Sequence, residues 1–254
     1  MKYYYETHLH TCEGSACGVA HGADYIEFMT GLGYSGIVVT DHFFTGNCRP
    51  DRSLEWKDWV EQYCSGYEAA LKAAEGTDFK VFFGLEYNFE GDEYLIYGVD
   101  KKWLLNNPDI MKQNRTEVYR RVKEYGGIMI QAHPYRERDY LSKIHLTPSA
   151  CDGVEIYNAW NDPYMNALAT DYAKKFGLNI LTAGSDIHNV EDHYMGAVAF
   201  DHKIETVKDF VESLKRIEGT PVTLRNGKWR PVSDYDDEIY VSDEPYMPVI
   251  FHDK

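Results

Sequence analysis

Cysteine is sparse in this sequence, and what there is forms no pattern. The five residues Cys12, Cys17, Cys48, Cys64 and Cys151 are odd in number and include no CxxC pair, which argues against a disulfide framework and an all-thiolate zinc site. They read as free thiols, although Cys12 and Cys17 lie close to histidines. Basic residues are also in deficit, with 26 Lys and Arg against 41 Asp and Glu and a formal net charge of -15. Such a balance repels a phosphate backbone or an anionic membrane surface, so the sequence predicts no stable nucleic-acid binding and no membrane partner. No apolar run approaches the roughly 20 residues of a membrane span, and the opening "MKYYYETHL" has no signal-peptide h-region. The expected location is the cytoplasm. Also missing are GxxxxGK[ST] and GxSxG, which removes the usual signals for P-loop and serine-nucleophile chemistry; "GLGYSG" at residues 31–36 matches GxGxxG, but it precedes the apolar run "GIVVT" instead of following one, so it is not the dinucleotide fingerprint.

The 254 residues are 44% hydrophobic and 15% aromatic, enough to bury a full core without staples. Short apolar runs recur along the chain, at "YYYET", "GIVVT", "KVFFG", "YLIYG", "GIMIQ", "GVEIY", "NILTA" and "GAVAF". Between them, "GADYIEFMTGLG", "SLEWKDWVEQYCSGYEAALKAAEG", "RTEVYRRVKEYG", "DPYMNALATDYAKKFG" and "TVKDFVESLKRIEG" have apolar residues at helical spacing and a glycine at the end. This alternation predicts an α/β protein built on a parallel sheet, and the number of runs suits a barrel better than a small open sheet. Residues 1–220 read as one domain. Residues 221–254, acidic and proline-containing, read as a C-terminal extension packing on or near it.

The ionisable residues collect where strands end. His8 and His10 follow the first run, Asp41 and His42 the second and Glu86 the third, while His133 follows "GIMIQ" and Asp186 and His188 follow "NILTA". In parallel barrels those ends share one face, so residues far apart in sequence can meet there. Imidazoles mixed with carboxylates suit Zn, Mn or Fe, whereas Ca and Mg sites are mostly oxygen. In "HLH" the strand period of two turns both rings the same way, and a carboxylate such as Glu86 can bridge two ions.

The set "HLHT", "TDH", "GLE", "AHP" and "GSDIH" resembles the PHP (polymerase and histidinol phosphatase) family of metal-dependent phosphoesterases over roughly residues 1–220. The resemblance implies a distorted seven-stranded (β/α) barrel with its metal site at the C-terminal ends of the strands and two or three divalent ions (Zn, Mn or Fe). It assigns His8, His10 and Asp186 to a first ion, Glu86 as the bridge to a second held by His133, and His42 and His188 to a third. Two departures stand out: Tyr94 falls where the family often has a histidine, and Ser15 where many members have Asp or His, leaving the nearby Glu13 as the carboxylate to close the third site. The implied activity is hydrolysis of a small phosphorylated metabolite or nucleotide by metal-activated water, with Asp186, His188 and Glu86 catalytic. Arg136 is the candidate to fork onto phosphate oxygens, with Arg138 behind it. Asn158 either contacts substrate or caps the helix starting near Asp162. Competing readings are a non-catalytic, regulatory metal-binding module and an amidohydrolase-like enzyme acting on C–N bonds. The latter usually places a lysine or a further histidine as bridge, and no strand end here presents Lys.

Overall fold

The computed structural model describes residues 1–234 and 245–252. In chain order its elements are β1 (Tyr3–Glu6), α1 (Asp24–Gly31), β2 (Gly36–Val39), α2 (Trp56–Tyr63), α3 (Ser65–Ala73), β3 (Lys80–Phe89), β4 (Asp92–Tyr97), α4 (Lys101–Asn106), α5 (Arg115–Tyr125), β5 (Ile128–Ala132), β6 (Ile144–Leu146), β7 (Gly153–Asn158), α6 (Pro163–Phe176), β8 (Ile180–Gly184), β9 (Met195–Phe200), α7 (Val207–Lys215), β10 (Thr220–Arg225), β11 (Lys228–Pro231) and β12 (Val249–Phe251). Every apolar run read as a strand is one. The long helical stretch after Ser53 divides at Cys64 into α2 and α3. Glycine ends α5 and α6, where Gly126 (φ 98°) and Gly177 (φ 66°) take the left-handed conformation that other residues resist.

The fold is α/β, as the alternation predicts, but its sheet does not have the expected seven strands. Ten strands make one sheet in the order β11-β10-β9-β1-β2-β3-β4-β5-β7-β8. Among the described residues of this sheet, only β1/β2, β2/β3, β5/β7 and β7/β8 pair in parallel; β4 runs antiparallel between β3 and β5, and β9 runs antiparallel to β1. An apolar run does not reveal strand direction, so sequence could not separate hairpins from crossovers. The sheet curls into a half-barrel: Leu9, beyond β1, makes a parallel bridge with Ile187, beyond β8.

The expected domain boundary at 220/221 falls inside β10, which pairs with β9 from Thr220 to Leu224. β12 pairs in parallel with β6 in a separate two-stranded sheet. Residues 235–244 and 253–254 of the expected extension lie outside the described residues.

The half-barrel interior is filled by Tyr5, Val38, Phe82, Leu95 and Ile130 from the strands and by Phe210, Val211 and Leu214 from α7. An aromatic layer including Phe43, Trp59, Tyr63, Tyr87 and Tyr94 packs on the other face. Among the described residues no helix is long and apolar enough to cross a membrane.

Candidate metal centre

The last residue of β1 sets up the site. Glu6, fully buried, uses one carboxylate oxygen to accept the N–H groups of Thr7 (2.9 Å), His8 (2.8 Å) and Ser185 (2.9 Å), lashing the end of β1 to the end of β8. His8 and His10 then point inward while Leu9 between them is buried in the core beneath α1. At the neighbouring ends, His133 (φ 26°) and Asp186 (φ 53°) adopt positive φ, a conformation disfavoured without glycine and concentrated at functional sites.

Around this frame the structure brings together His8, His10, His42, Glu86, His133, Asp186 and His188. His8 Nε2 lies 3.2 Å from Glu86 Oε1 and 3.4 Å from Asp186 Oδ1. His10 Nε2 is 3.0 Å from the same Asp186 oxygen, and His133 Nε2 is 3.1 Å from Glu86 Oε1. Three of the five rings are oriented from behind: His8 Nδ1 by Glu155 at 3.0 Å, His10 Nδ1 by Ser15 at 3.1 Å and His188 Nδ1 by the Asp186 carbonyl at 2.7 Å. Outer-shell partners of this kind fix which nitrogen faces a metal.

The polar atoms at the centre are under-satisfied. His8 Nε2, His10 Nε2, His42 Nδ1 and Glu86 Oε2 are buried without a hydrogen-bond partner, although His42 Nδ1 sits 2.6 Å from Glu86 Oε2. Orphaned buried polar atoms are costly, and these converge on one space. Donor atoms within 4.8 Å of one another form the sets His8/His10/Glu86, His8/His133/Asp186, His10/His42/His188 and His42/Glu86/Glu93. Imidazole and carboxylate donors converging in this way fit a divalent metal ion.

Charge on these groups divides by neighbour. Burial opposes a proton on His8, but Asp186, Glu155 and Glu86 outweigh it and raise its pKa well above the ordinary range. For His10, burial acts together with the nearby His42 and His188 and pushes the pKa well below it. Against burial, His42 and His8 hold Glu86 well below the usual carboxylate range, as His8 and Arg136 do Asp186.

Glu93, which carries no motif signal, stands where the sequence comparison puts Tyr94. Its Oε2 lies 3.5 Å from His133 Nε2 and its Oε1 3.8 Å from His42 Nδ1. Tyr94 points away into the aromatic layer, donating its hydroxyl to Asp92 at 2.6 Å. The signal was the "EG" turn: Phe89 pairs with Asp92 across a two-residue loop, so strand alternation puts Glu93, not Tyr94, on the same face as Glu86.

Glu13 is not brought to the centre; it contacts His21 Nδ1 at 3.0 Å and accepts the Gly22 N–H at 3.1 Å. Its loop sends Ser15 inward instead, to His10 and to Asp41 (2.7 Å). Arg136 is partly buried, with its guanidinium donating to Asn161 (2.7 Å), Asp186 Oδ2 and Asn158 Oδ1. Asn158 caps no helix; its Nδ2 donates to Glu155 (3.1 Å) and Asp186 Oδ2 (3.3 Å).

A cavity of about 930 Å³ opens onto the cluster, lined by His42, Glu86, Glu93, Asp186 and His188 at its base and by Arg138, Tyr140 and Trp160 toward its mouth. Tyr140 is 75% and Trp160 52% exposed.

A family model described as PHP-associated matches residues 163–218. No curated protein sequence matches the chain. Among solved structures, a two-domain protein from Bacteroides vulgatus containing a predicted PHP-like metal-dependent phosphoesterase superposes with a TM-score of 0.64 at 14% identity over 87% of this chain; this chain spans 64% of that one, just under two thirds. A protein from Bifidobacterium adolescentis named as a candidate metal-dependent phosphoesterase gives 0.54 at 16% identity, over 84% of this chain and 96% of its own. The lesion-specific endonuclease Q of Pyrococcus furiosus gives 0.57 at 13% identity, over 85% and 56%. These likenesses establish the fold.

A further endonuclease Q structure, with a TM-score of 0.54 at 13% identity over 85% of this chain and 57% of its own, contains a 27-mer duplex with an abasic lesion at its active site. It overturns the expectation of a small phosphorylated partner with nucleic acid excluded. Net charge describes the far field, whereas bound cations and arginines at a site can invert the field locally.

Proposed function

We propose that this chain, a PHP-domain protein, is a hydrolase that cleaves phosphate esters with the help of divalent metal ions. The observation that carries the reading is the convergence of His8, His10, His42 and Glu86 atoms that are buried without a hydrogen-bond partner, with the His8 and His10 rings already oriented from behind. His8, His10 and Asp186 with Glu86 would hold one ion; Glu86, Glu93 and His133 a second; His42 and His188 a third. When bound, such ions supply Lewis acidity, neutralising phosphate oxygens and lowering the pKa of water.

The chain's own groups do the positioning. Arg136 and Asn158 occupy Asp186 Oδ2, which leaves Oδ1 facing His8 and His10. We assign these two residues to holding the carboxylate, and the rim residue Arg138 to meeting the substrate's phosphate. Asp186 and Glu86 orient the attacking water. As its oxygen bonds to phosphorus the ester P–O bond breaks, and the leaving oxygen takes up a proton. His188 at the rim has Nδ1 committed to the Asp186 carbonyl, which makes Nε2 the atom to deliver that proton or to ligate the outer ion. Tyr140 and Trp160 offer aromatic faces at the mouth on which a base can stack, so nucleotides and nucleic-acid lesions or ends both belong among the substrates to test.

The test is hydrolysis of p-nitrophenyl phosphate, bis-p-nitrophenyl phosphate and a duplex with an abasic site, each with and without Mn²⁺ or Zn²⁺. The reading predicts metal-dependent cleavage of at least one, reduced at least about 100-fold in folded His10→Ala and Asp186→Ala variants, the scale on which electrostatic stabilisers are lost. Cleavage independent of metal, or unchanged in those variants, would contradict it.

A further inference from the structure

The loop between β1 and α1 holds a second cluster of donors, separate from the cavity. Cys12 Sγ lies 3.1 Å from His21 Nδ1, Glu13 Oε1 lies 3.0 Å from the same nitrogen, and Cys12 Sγ lies 3.7 Å from Glu13 Oε2. All three side chains place a ligand atom within 4.8 Å of the others. We propose that Cys12, Glu13 and His21 form a zinc-binding site of their own, open to solvent at its fourth position.

Three features carry it. The first is donor chemistry: thiolate, imidazole and carboxylate together are zinc's characteristic ligands and a poor match for Mg²⁺ or Ca²⁺.

The second is geometry. Zn–S of about 2.3 Å and Zn–N or Zn–O of about 2.0–2.1 Å set tetrahedral edges of about 3.3–3.6 Å. The present contacts lie within about half an ångström of those edges, so closing on an ion asks for small side-chain shifts.

The third is preorganisation. Cys12 N–H donates to the Ala20 carbonyl at 2.9 Å and holds the loop's two ends together. Asp24 accepts the His21 N–H at 3.1 Å, and Gly22 N–H, at 3.1 Å, fixes Glu13 Oε2. The ordering cost is thus already met by the backbone. Without an ion, His21 Nδ1 has a single proton or a single lone pair to share between Cys12 and Glu13. One divalent cation satisfies all three donors, with the thiol proton released to solvent on binding.

The site is distinct from the phosphoesterase reading and stands or falls without it. Its geometric link to the cavity is the loop itself, which sends Ser15 to His10 and lines the cavity with Cys17. An ion bound at Cys12, Glu13 and His21 would fix the loop in the position that presents both residues.

The test uses the full chain titrated with Co²⁺, whose thiolate-to-metal charge-transfer absorption arises only where a cysteine is a ligand, followed by Zn²⁺ competition. The proposal predicts a charge-transfer band that persists in Cys17→Ser, disappears in Cys12→Ser, and needs at least tenfold more Co²⁺ to develop in His21→Ala. Because the His21 side chain is 67% exposed, that last variant leaves the fold in place should Cys12→Ser perturb it. Absence of a band in the wild-type protein, or a band that survives Cys12→Ser and vanishes in Cys17→Ser, overturns the proposal. So does equal Co²⁺ affinity in wild type and His21→Ala.

Discussion

Asp41, at the end of β2, shows how one carboxyl can support the site without joining it. One oxygen accepts from Thr11 N–H and Ser15 Oγ, the other from Thr11 Oγ1, each at 2.7 Å. Burial, the largest influence, pushes its pKa up to about 7 despite those bonds. A carboxyl whose folded pKa is raised stabilises the fold fully below its unfolded pKa, near 4, and that contribution is lost as pH climbs through about 7. In Asp41→Asn the amide presents the same acceptor and donates to Thr11 Oγ1. Urea unfolding should therefore find wild type losing stability relative to Asp41→Asn between about pH 4 and 7; parallel pH profiles would contradict this. A second contrast concerns neighbours on β4. Glu93→Ala should lower the number of tightly bound Mn²⁺ ions by one in equilibrium dialysis, while Tyr94→Phe should leave it unchanged and cost about 1 kcal/mol in unfolding free energy for the lost buried hydrogen bonds. His8, His10, Glu86, His133 and Asp186 were legible in the sequence because each follows an apolar run. Glu93 was not, because its face depends on the parity of a turn. Glu13 was misplaced because loop direction has no period to read.

The β3–β4 hairpin decides where Glu86 and Glu93 meet. Its turn runs through Glu90 (φ 56°) and Gly91 (φ 106°), the pair of left-handed residues that a tight two-residue connection requires. A Cβ on Gly91 would also lie 2.4 Å from Leu141 Cδ2. Gly91→Ala should thus destabilise the fold by about 1 kcal/mol or more and weaken Mn²⁺ binding at the Glu93 side; unchanged unfolding and binding would mean that the turn is more tolerant than its backbone indicates. Elements were the most readable level, since apolar runs and terminal glycines mark strands and helices directly. α4 was not anticipated: it is only six residues long, and its Asp100 cap, accepting the Trp103 N–H at 2.7 Å, offers a brief signal. Antiparallel insertion of β4 was equally invisible, since Tyr94, Leu95 and Ile96 read the same in either direction.

The whole molecule is an acidic half-barrel whose curl gathers residues from His8 to His188 at one rim. Its buried, partnerless donors have a thermodynamic consequence: an ion that binds the folded state alone stabilises it by about 2.7 kcal/mol at a free concentration of 100 Kd. Thermal unfolding should shift upward with Mn²⁺ or Zn²⁺ and return on chelation. A melting temperature indifferent to metal would leave the orphaned atoms unexplained. Overall charge misled at this scale, because a net value of -15 does not report the field inside one cavity. The most direct measurement is equilibrium dialysis of metal-free His21→Ala, in which the loop cluster is disabled, against Mn²⁺ and Zn²⁺, alongside the same protein with Glu86→Ala. The account predicts at least two ions per chain in the first and loss of at least one in the second. Binding near zero, or equal in both, would contradict a metal centre at the rim.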